Sequence, residues 1–288
     1  MHPNDKKQNI ESLLKWKSDG VQEKTSLDWY SSDSEESFKS HIKDKSKSTI
    51  EFYKNNPIKY EFNNHGFRTP DDFNKEDVGD VYLGCSHTAG VGNHFDDTWV
   101  GILNQDSDTK CFNLGIPAAS VGTCYRILLY YKNVLKINNI FHYSLTAPRY
   151  EFVYDVTSNT KKLDYFGAYL EEIKQSNTEF PYDNFILSSF LTEEYKILDQ
   201  LKTFMAIQNI CRELGINYYL ITDVMLEKWI KKTAKVISDT KKRQNLFFIE
   251  SRDGAHYHTR KHYILAHYFK YLKLTNTETK IDFSIYGF

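Results

Sequence analysis

The sequence predicts an α/β fold, a parallel sheet covered by helices on both faces, from three observations. Val81, Tyr82 and Leu83 form a short apolar run ended by Gly84, too short for a helix and right for a buried strand. Val121, Cys124, Leu128, Tyr131 and Leu135 recur at spacings of 3, 4, 3 and 4, which is a helical stripe. A helical stretch over residues 192–214 meets Gly215 and passes at once into a strand-like run over 216–222. Helices alternating with strands bury a sheet between two helical layers, giving a three-layer α/β/α sandwich.

Residues 1–56 are polar and rich in Lys, Ser and Glu. Ile10, Leu13, Leu14 and Trp16 suggest one short amphipathic helix. Phe38, Ile42, Ile50 and Tyr53 suggest a second over 34–53. This part reads as a polar helical extension packed on the domain, with a docking or oligomerisation arm as the alternative. Pro57 opens the main domain, 57–288. The turn signal of Asn63, Asn64 and Gly66 comes next. After Ser86, residues 97–103 should be helical, with Trp99, Val100 and Leu103 inward, and 110–114 a second strand. Pro117 is expected to open the next helix, at the position where proline is tolerated. Residues 139–146 read as a third strand, which 151–154 extend or repeat. The aromatic-rich stretch 155–190 reads as an insertion near the strand ends, a lid. Then come the helix 192–214, a fourth strand over 216–222 and a helix over 224–235. A short extended segment over 246–249, a helix over 263–274 and a terminal strand over 281–286 complete the chain.

The composition narrows the class. With a net charge of −1, no global field draws nucleic acid or an anionic membrane. No apolar run approaches the length of a membrane span. Residues 1–8 are polar and lack the apolar centre of a signal peptide, so a cytoplasmic or virion-associated location is expected. The cysteines at 85, 111, 124 and 211 have no metal-type spacing and read as free, buried thiols.

Ligands of parallel sheets bind at the carboxyl ends of the strands. Ser86, the turn 113–118 and the turn 146–149 each follow a predicted strand, so all three fall on one rim. A strand running into Gly84-Cys85-Ser86 and a glycine-rich turn lifts the Ser86 hydroxyl clear of the sheet edge, as a nucleophile requires. A serine needs a base, and the base an orienting carboxylate. Asp253-Gly254-Ala255-His256 supplies both within four residues. Such a loop can set the carboxylate against imidazole Nδ1 and leave Nε2 for the serine.

These motifs resemble the SGNH (GDSL) hydrolase superfamily. That family has Gly-Asp-Ser after the first strand, Asn-x-Gly-x-x-Gly after the second, an Asn after the third and Asp-x-x-His near the end. Here the counterparts are Gly84-Cys85-Ser86, Asn113-Leu114-Gly115-Ile116-Pro117-Ala118 and Asp253-Gly254-Ala255-His256. The Asn63-to-Arg68 lead-in and Trp99 are similar too. The resemblance covers roughly residues 60–274. It implies a flavodoxin-like sheet of about five strands in the order 2-1-3-4-5, and a serine esterase without cofactor or metal. Ser86 would attack, His256 act as base then acid, and Asp253 orient His256. The backbone N–H groups of Ser86 and Ala118 would hold the oxyanion. The family's habits and the aromatic insertion point to a small-molecule or carbohydrate ester, with O-acetyl groups on carbohydrate as the specific expectation.

Three departures stand out. Cys85 replaces the family's Asp, and Ala118 its oxyanion glycine. No Asn follows the third strand, where the chain reads Ser144-Leu145-Thr146-Ala147-Pro148-Arg149, so Thr146 or Arg149 is the stand-in donor. Loss of one such donor costs about 100- to 1000-fold in kcat. A weak or inactive binding or structural protein on the same fold is therefore the alternative. A metal site from Asp253, His256 and His258 with His87 or His94 has no third ligand at diagnostic spacing. Cys85 as nucleophile is disfavoured, because its side chain should point away from that of Ser86. Oligomeric state is left open.

Overall fold

The structure is a computed structural model, and it describes residues 23–43, 45–145, 149–155, 163–168, 193–238 and 249–277. In chain order, the elements begin with β1 (Ser26–Leu27), α1 (Glu35–His41), α2 (Lys47–Asn55) and β2 (Tyr60–Glu61). There follow β3 (Val78–Gly84), α3 (Ser86–Ala89), α4 (Trp99–Gln105), β4 (Lys110–Asn113), α5 (Val121–Tyr131) and β5 (Lys136–Ser144). The last are β6 (Tyr150–Asp155), β7 (Leu163–Ala168), α6 (Glu193–Leu214), β8 (Asn217–Thr222), α7 (Asp223–Ser238) and α8 (Thr259–Leu274).

Four strands form a parallel sheet in the order β4-β3-β5-β8. Side chains alternate across it. Val81, Leu83, Phe112, Ile140, Tyr218 and Leu220 pack on one face against α5 and α6, through Cys124, Leu128, Phe204 and Ile207. Tyr82, Phe141, Tyr143, Tyr219 and Ile221 pack on the other against α4, α7 and α8, through Trp99, Leu226, Leu265 and Phe269. Period-two alternation with both faces apolar is what burial of a parallel sheet on two sides demands. The three-layer α/β/α sandwich follows from these two cores. No helix among the described residues is long and apolar enough to cross a membrane.

The four sheet strands lie in the spatial order second, first, third, fourth. Residues 246–248 and 281–286, expected as further extended segments, fall outside the described residues, as does the helix expected around Ile10 and Trp16. Residues 151–154 do not extend the third strand. They belong to β6, which pairs antiparallel with β7 in a separate hairpin, β6 lying before the expected insertion and β7 within it.

Two local expectations change for identifiable reasons. Pro117 does not open α5, which starts at Val121 behind the N-cap Ser120. Ser120 Oγ accepts from Thr123 N and Thr123 Oγ1 from Ser120 N, a complete capping box. The stretch 34–53 is two helices. Ser34 caps α1 and Ser46 caps α2, each accepting a backbone N–H three residues on. The expected stop at Gly215 is present. Gly215 has φ +66, Ile216 N donates to Cys211 O and Gly215 N to Arg212 O, a Schellman close of α6.

A third core joins Tyr30 and Tyr53 to Ile58, Tyr60, Phe62, Ala89 and Val91. β1 pairs with β2 in the same region. Residues 27–53 thus share a core with the turn that follows Ser86.

Candidate active site

β3 ends at Gly84, and Cys85 caps the short α3 in an extended conformation, so Ser86 is the first helical residue beyond the strand. Gly90 closes α3 at φ +77, with its N–H on Ser86 O. Ser86 is buried. Cys85 packs in the core with Val81, Leu83 and Cys124 on the α5 and α6 face, as strand alternation from Leu83 requires. All four cysteines are free and buried.

The Asp253–His256 loop docks on the turn behind α3. Arg252 N donates to Gly92 O at 2.7 Å, and Asn93 Nδ2 donates to Tyr257 O at 3.0 Å. Gly92 has φ +77, and a Cβ there would stand 2.7 Å from Asp253 Oδ1. Only glycine meets both demands. The His256 ring lies 5.1 Å from that of His87, the residue after Ser86.

Asp253 is fully buried. Its Oδ2 accepts from His256 Nδ1 at 2.6 Å and from Ser32 Oγ at 2.9 Å, and its Oδ1 from Ala255 N at 3.1 Å. Burial alone would raise its pKa. The hydrogen bond and charge of His256, with the donors Ser32 and Ala255, outweigh burial and hold the carboxyl well below the usual range. An ionised carboxylate only accepts, so Nδ1 carries the proton and Nε2 is the free ring position. Among the described residues no hydrogen bond joins Ser86 Oγ to His256.

His87 is buried, and burial pushes its pKa well down, helped by its electrostatic neighbours, Arg149 and Lys261 among them. It is therefore neutral. Its ring stacks on Tyr257 at 3.8 Å, and the Tyr257 hydroxyl meets that of Tyr143 at 2.6 Å. Its Nδ1 has no hydrogen-bond partner among the described residues.

Of the expected oxyanion groups, Ala118 occupies a revealing backbone position. Ala119 N donates to Ile116 O at 3.1 Å, and Ala118 has φ +61. Residues 116–119 therefore form a type II turn with Pro117 at its second position and Ala118 at its third, where φ is positive and glycine is preferred. The alanine adopts the glycine conformation at a steric cost. Asn113 is structural: its Nδ2 donates to Arg68 O and Thr88 O, tying the end of β4 to α3. Thr146 lies outside the described residues. Arg149 shares the lining of a small pocket with Cys85, Ser120, His142, Ser144 and Gln200. Glu151 is held by Arg126 at 2.7 Å.

The residues weighed for a metal do not converge. His258 Nδ1 accepts from Lys261 N as the N-cap of α8, and His94 Nε2 lies against Asn56 O. Among the described residues no group of three or more His, Cys, Asp or Glu is arranged to hold a metal ion.

Sequence reasoning missed the partners supplied by residues 28–53. Ser32 reaches Asp253, Lys45 Nζ donates to Ser251 O at 2.8 Å, and Tyr53 OH donates to Glu250 O at 2.8 Å. Asp33 pairs with Arg252. No local pattern marks such contacts, which join residues about 200 positions apart.

No family model matches the chain, and no curated protein matches it. Among solved structures, it is similar to the crystal structure of a member of the lipolytic protein G-D-S-L family from Veillonella parvula DSM 2008. The identity is 12% and the TM-score 0.29, with 69% of this chain and 99% of that chain covered. At that level the likeness bears on neither activity nor site, and both are read from the chain's own residues.

Proposed function

We propose that the protein is a serine esterase of the SGNH type, with Ser86 as nucleophile, His256 as general base and Asp253 as its orienting carboxylate. One observation carries this reading. A buried, ionised Asp253 holds His256 Nδ1 at 2.6 Å, in a loop docked on the turn behind Ser86. His256 Nε2 takes the Ser86 proton as Oγ attacks the ester carbonyl. It then returns that proton to the departing alkoxide, leaving an acyl-serine. Water repeats the sequence, with His256 again as base, and releases the acid. Ser86 and Ala118 N–H groups are the proposed oxyanion donors, with Arg149 or Thr146 in place of the family's Asn. The open Ser86–His256 contact is compatible with this role, because catalytic hydrogen bonds often tighten only when substrate binds.

The second reading is a weak or inactive binding protein on the same fold. The strained Ala118 turn favours it, because that turn presents one of the two proposed backbone donors. A fluorophosphonate probe separates the two. The esterase reading expects covalent labelling of Ser86, no labelling of a folded Ser86→Ala variant, and loss of p-nitrophenyl acetate hydrolysis in that variant. An unlabelled wild type leaves the binding reading. O-acetylated carbohydrate is the proposed natural substrate, and acetate release from acetylated oligosaccharides tests it.

A further inference from the structure

We propose that Ser32 is a positioning residue for the acid–base pair: its hydroxyl donates to Asp253 Oδ2, the same oxygen that holds His256, and so orients the carboxylate from the N-terminal side. The proposal rests on reading Asp253 and His256 as that pair. Ser32 Oγ stands 2.9 Å from Asp253 Oδ2, across 221 positions of chain. Asp253 Oδ1 is already set by Ala255 N. His256 N also donates to Oδ1, at 3.3 Å, so the Ser32 hydroxyl adds a donor from outside the loop on the other oxygen, which opposes rotation of the carboxylate about its own axis.

The segment is built to hold that hydroxyl. Tyr30 N donates to Asp33 O at 3.0 Å and Asp33 N to Tyr30 O at 3.1 Å, so Ser31 and Ser32 form the two-residue loop of a tight hairpin. Ser31 sits at φ +59, a conformation that costs a non-glycine residue energy and persists only where the surroundings enforce it. The enforcement is visible. The buried Asp33 carboxylate takes Arg252 Nη2 at 2.6 Å and the Tyr60 hydroxyl. That Tyr60 oxygen in turn accepts Gly92 N at 2.9 Å. Gly92 is the residue against which Asp253 packs. The ring Asp33, Tyr60, Gly92, Asp253, Ser32 is thus made of four contacts and closed by the Ser32–Asp33 peptide bond.

The test compares Ser32→Ala with Ser32→Thr, which keeps the donor. Ser32 is an exposed residue, so neither change removes core packing. A lost hydrogen bond to a charged group lowers kcat/KM for a neutral short ester roughly tenfold, with KM little changed. A carboxylate with one donor fewer holds the imidazolium more tightly, so the acid limb of the pH profile moves to higher pH. The threonine variant restores both. The other groups facing the pair stay the same in every variant: His87 on α3, His262 on α8, Arg252 before Asp253, and His41 and Lys45 beside Gly254. A readout independent of activity is the His256 Nδ1–H proton resonance, which should shift in Ser32→Ala and return in Ser32→Thr. If wild type hydrolyses no ester but this resonance behaves so, the esterase reading fails and the positioning role stands. An unchanged resonance in Ser32→Ala, with rate and profile unchanged where activity exists, overturns the proposal.

Discussion

Arg252 and Asp33 stand 219 positions apart and form a buried ion pair, with Nε 3.0 Å from Oδ1 and Nη2 2.6 Å from Oδ2. The guanidinium also lies 3.9 Å over the Trp29 ring. The pair ties the N-terminal segment to the residue just before Asp253. Removing one partner of such a pair leaves the other charge buried and unmatched, which costs about 3–5 kcal/mol. Asp33→Asn and Arg252→Met are each expected to lower unfolding stability by that order in urea titrations followed by circular dichroism. The double variant should lose less than the sum, because it leaves no orphan charge.

Stability should fall on mild acidification, before ordinary carboxylates titrate. His142 and His262 are buried, and burial pushes both down to about 3 from 6.5. In the unfolded chain they take up protons below about pH 6.5, whereas in the folded protein they do so only near 3. The unfolded state therefore binds more protons throughout that window, and stability drops by up to about 1.4 kcal/mol per pH unit for each histidine. His87 adds in the same direction. Asp253, also depressed, adds its share only as pH falls below the usual carboxylate value. Urea midpoints measured from pH 7 to 5 check the slope, and His142→Gln should make it shallower.

Ala118→Gly is expected to keep or raise stability, by zero to about 1 kcal/mol. Relief of the left-handed strain at φ +61 is partly offset by the added freedom of glycine in the unfolded chain. Ala118→Val should lower stability by more than 1 kcal/mol, because a β-branched residue tolerates that region poorly. Thermal melts of the two variants should fall on opposite sides of the wild type, or the glycine variant should coincide with it.

Arg149→Ala separates two roles on the rim. An oxyanion donor lost there lowers kcat about 100-fold for neutral and anionic esters alike. A lost substrate anchor raises KM for anionic esters and leaves kcat for neutral ones in place. The expected result is the first, since Arg149 shares a pocket with Cys85 and Ser144 beside the Ser86 turn and its charge acts on His87. Unchanged kcat in Arg149→Ala, with a loss in Thr146→Val, transfers the role to the threonine.

The sequence by itself determined the layers and the Asp253–His256 half of the candidate site. The alternation in 81–83, the stripe from Val121 to Tyr131 and the stop at Gly215 are local patterns, and the burial they demand matches the two cores on the sheet. Asp253 and His256 were legible for the same reason, because a four-residue loop carries its own geometry. Where two local rules competed, the capping hydrogen bonds seen in the structure decided. Pro117 suits a helix start and a type II turn equally, and the Ser120–Thr123 box settled the helix start at Val121, four residues later. Ser46 likewise split one amphipathic stretch into α1 and α2. What the tertiary structure alone decided is the company Asp253 keeps. Ser32, Asp33, Lys45 and Tyr53 reach its loop from nearly the far end of the chain. Such contacts have no period, spacing or composition to announce them. They arise only when Tyr30, Tyr53 and Tyr60 bury their rings in one core and carry the polar neighbours with them.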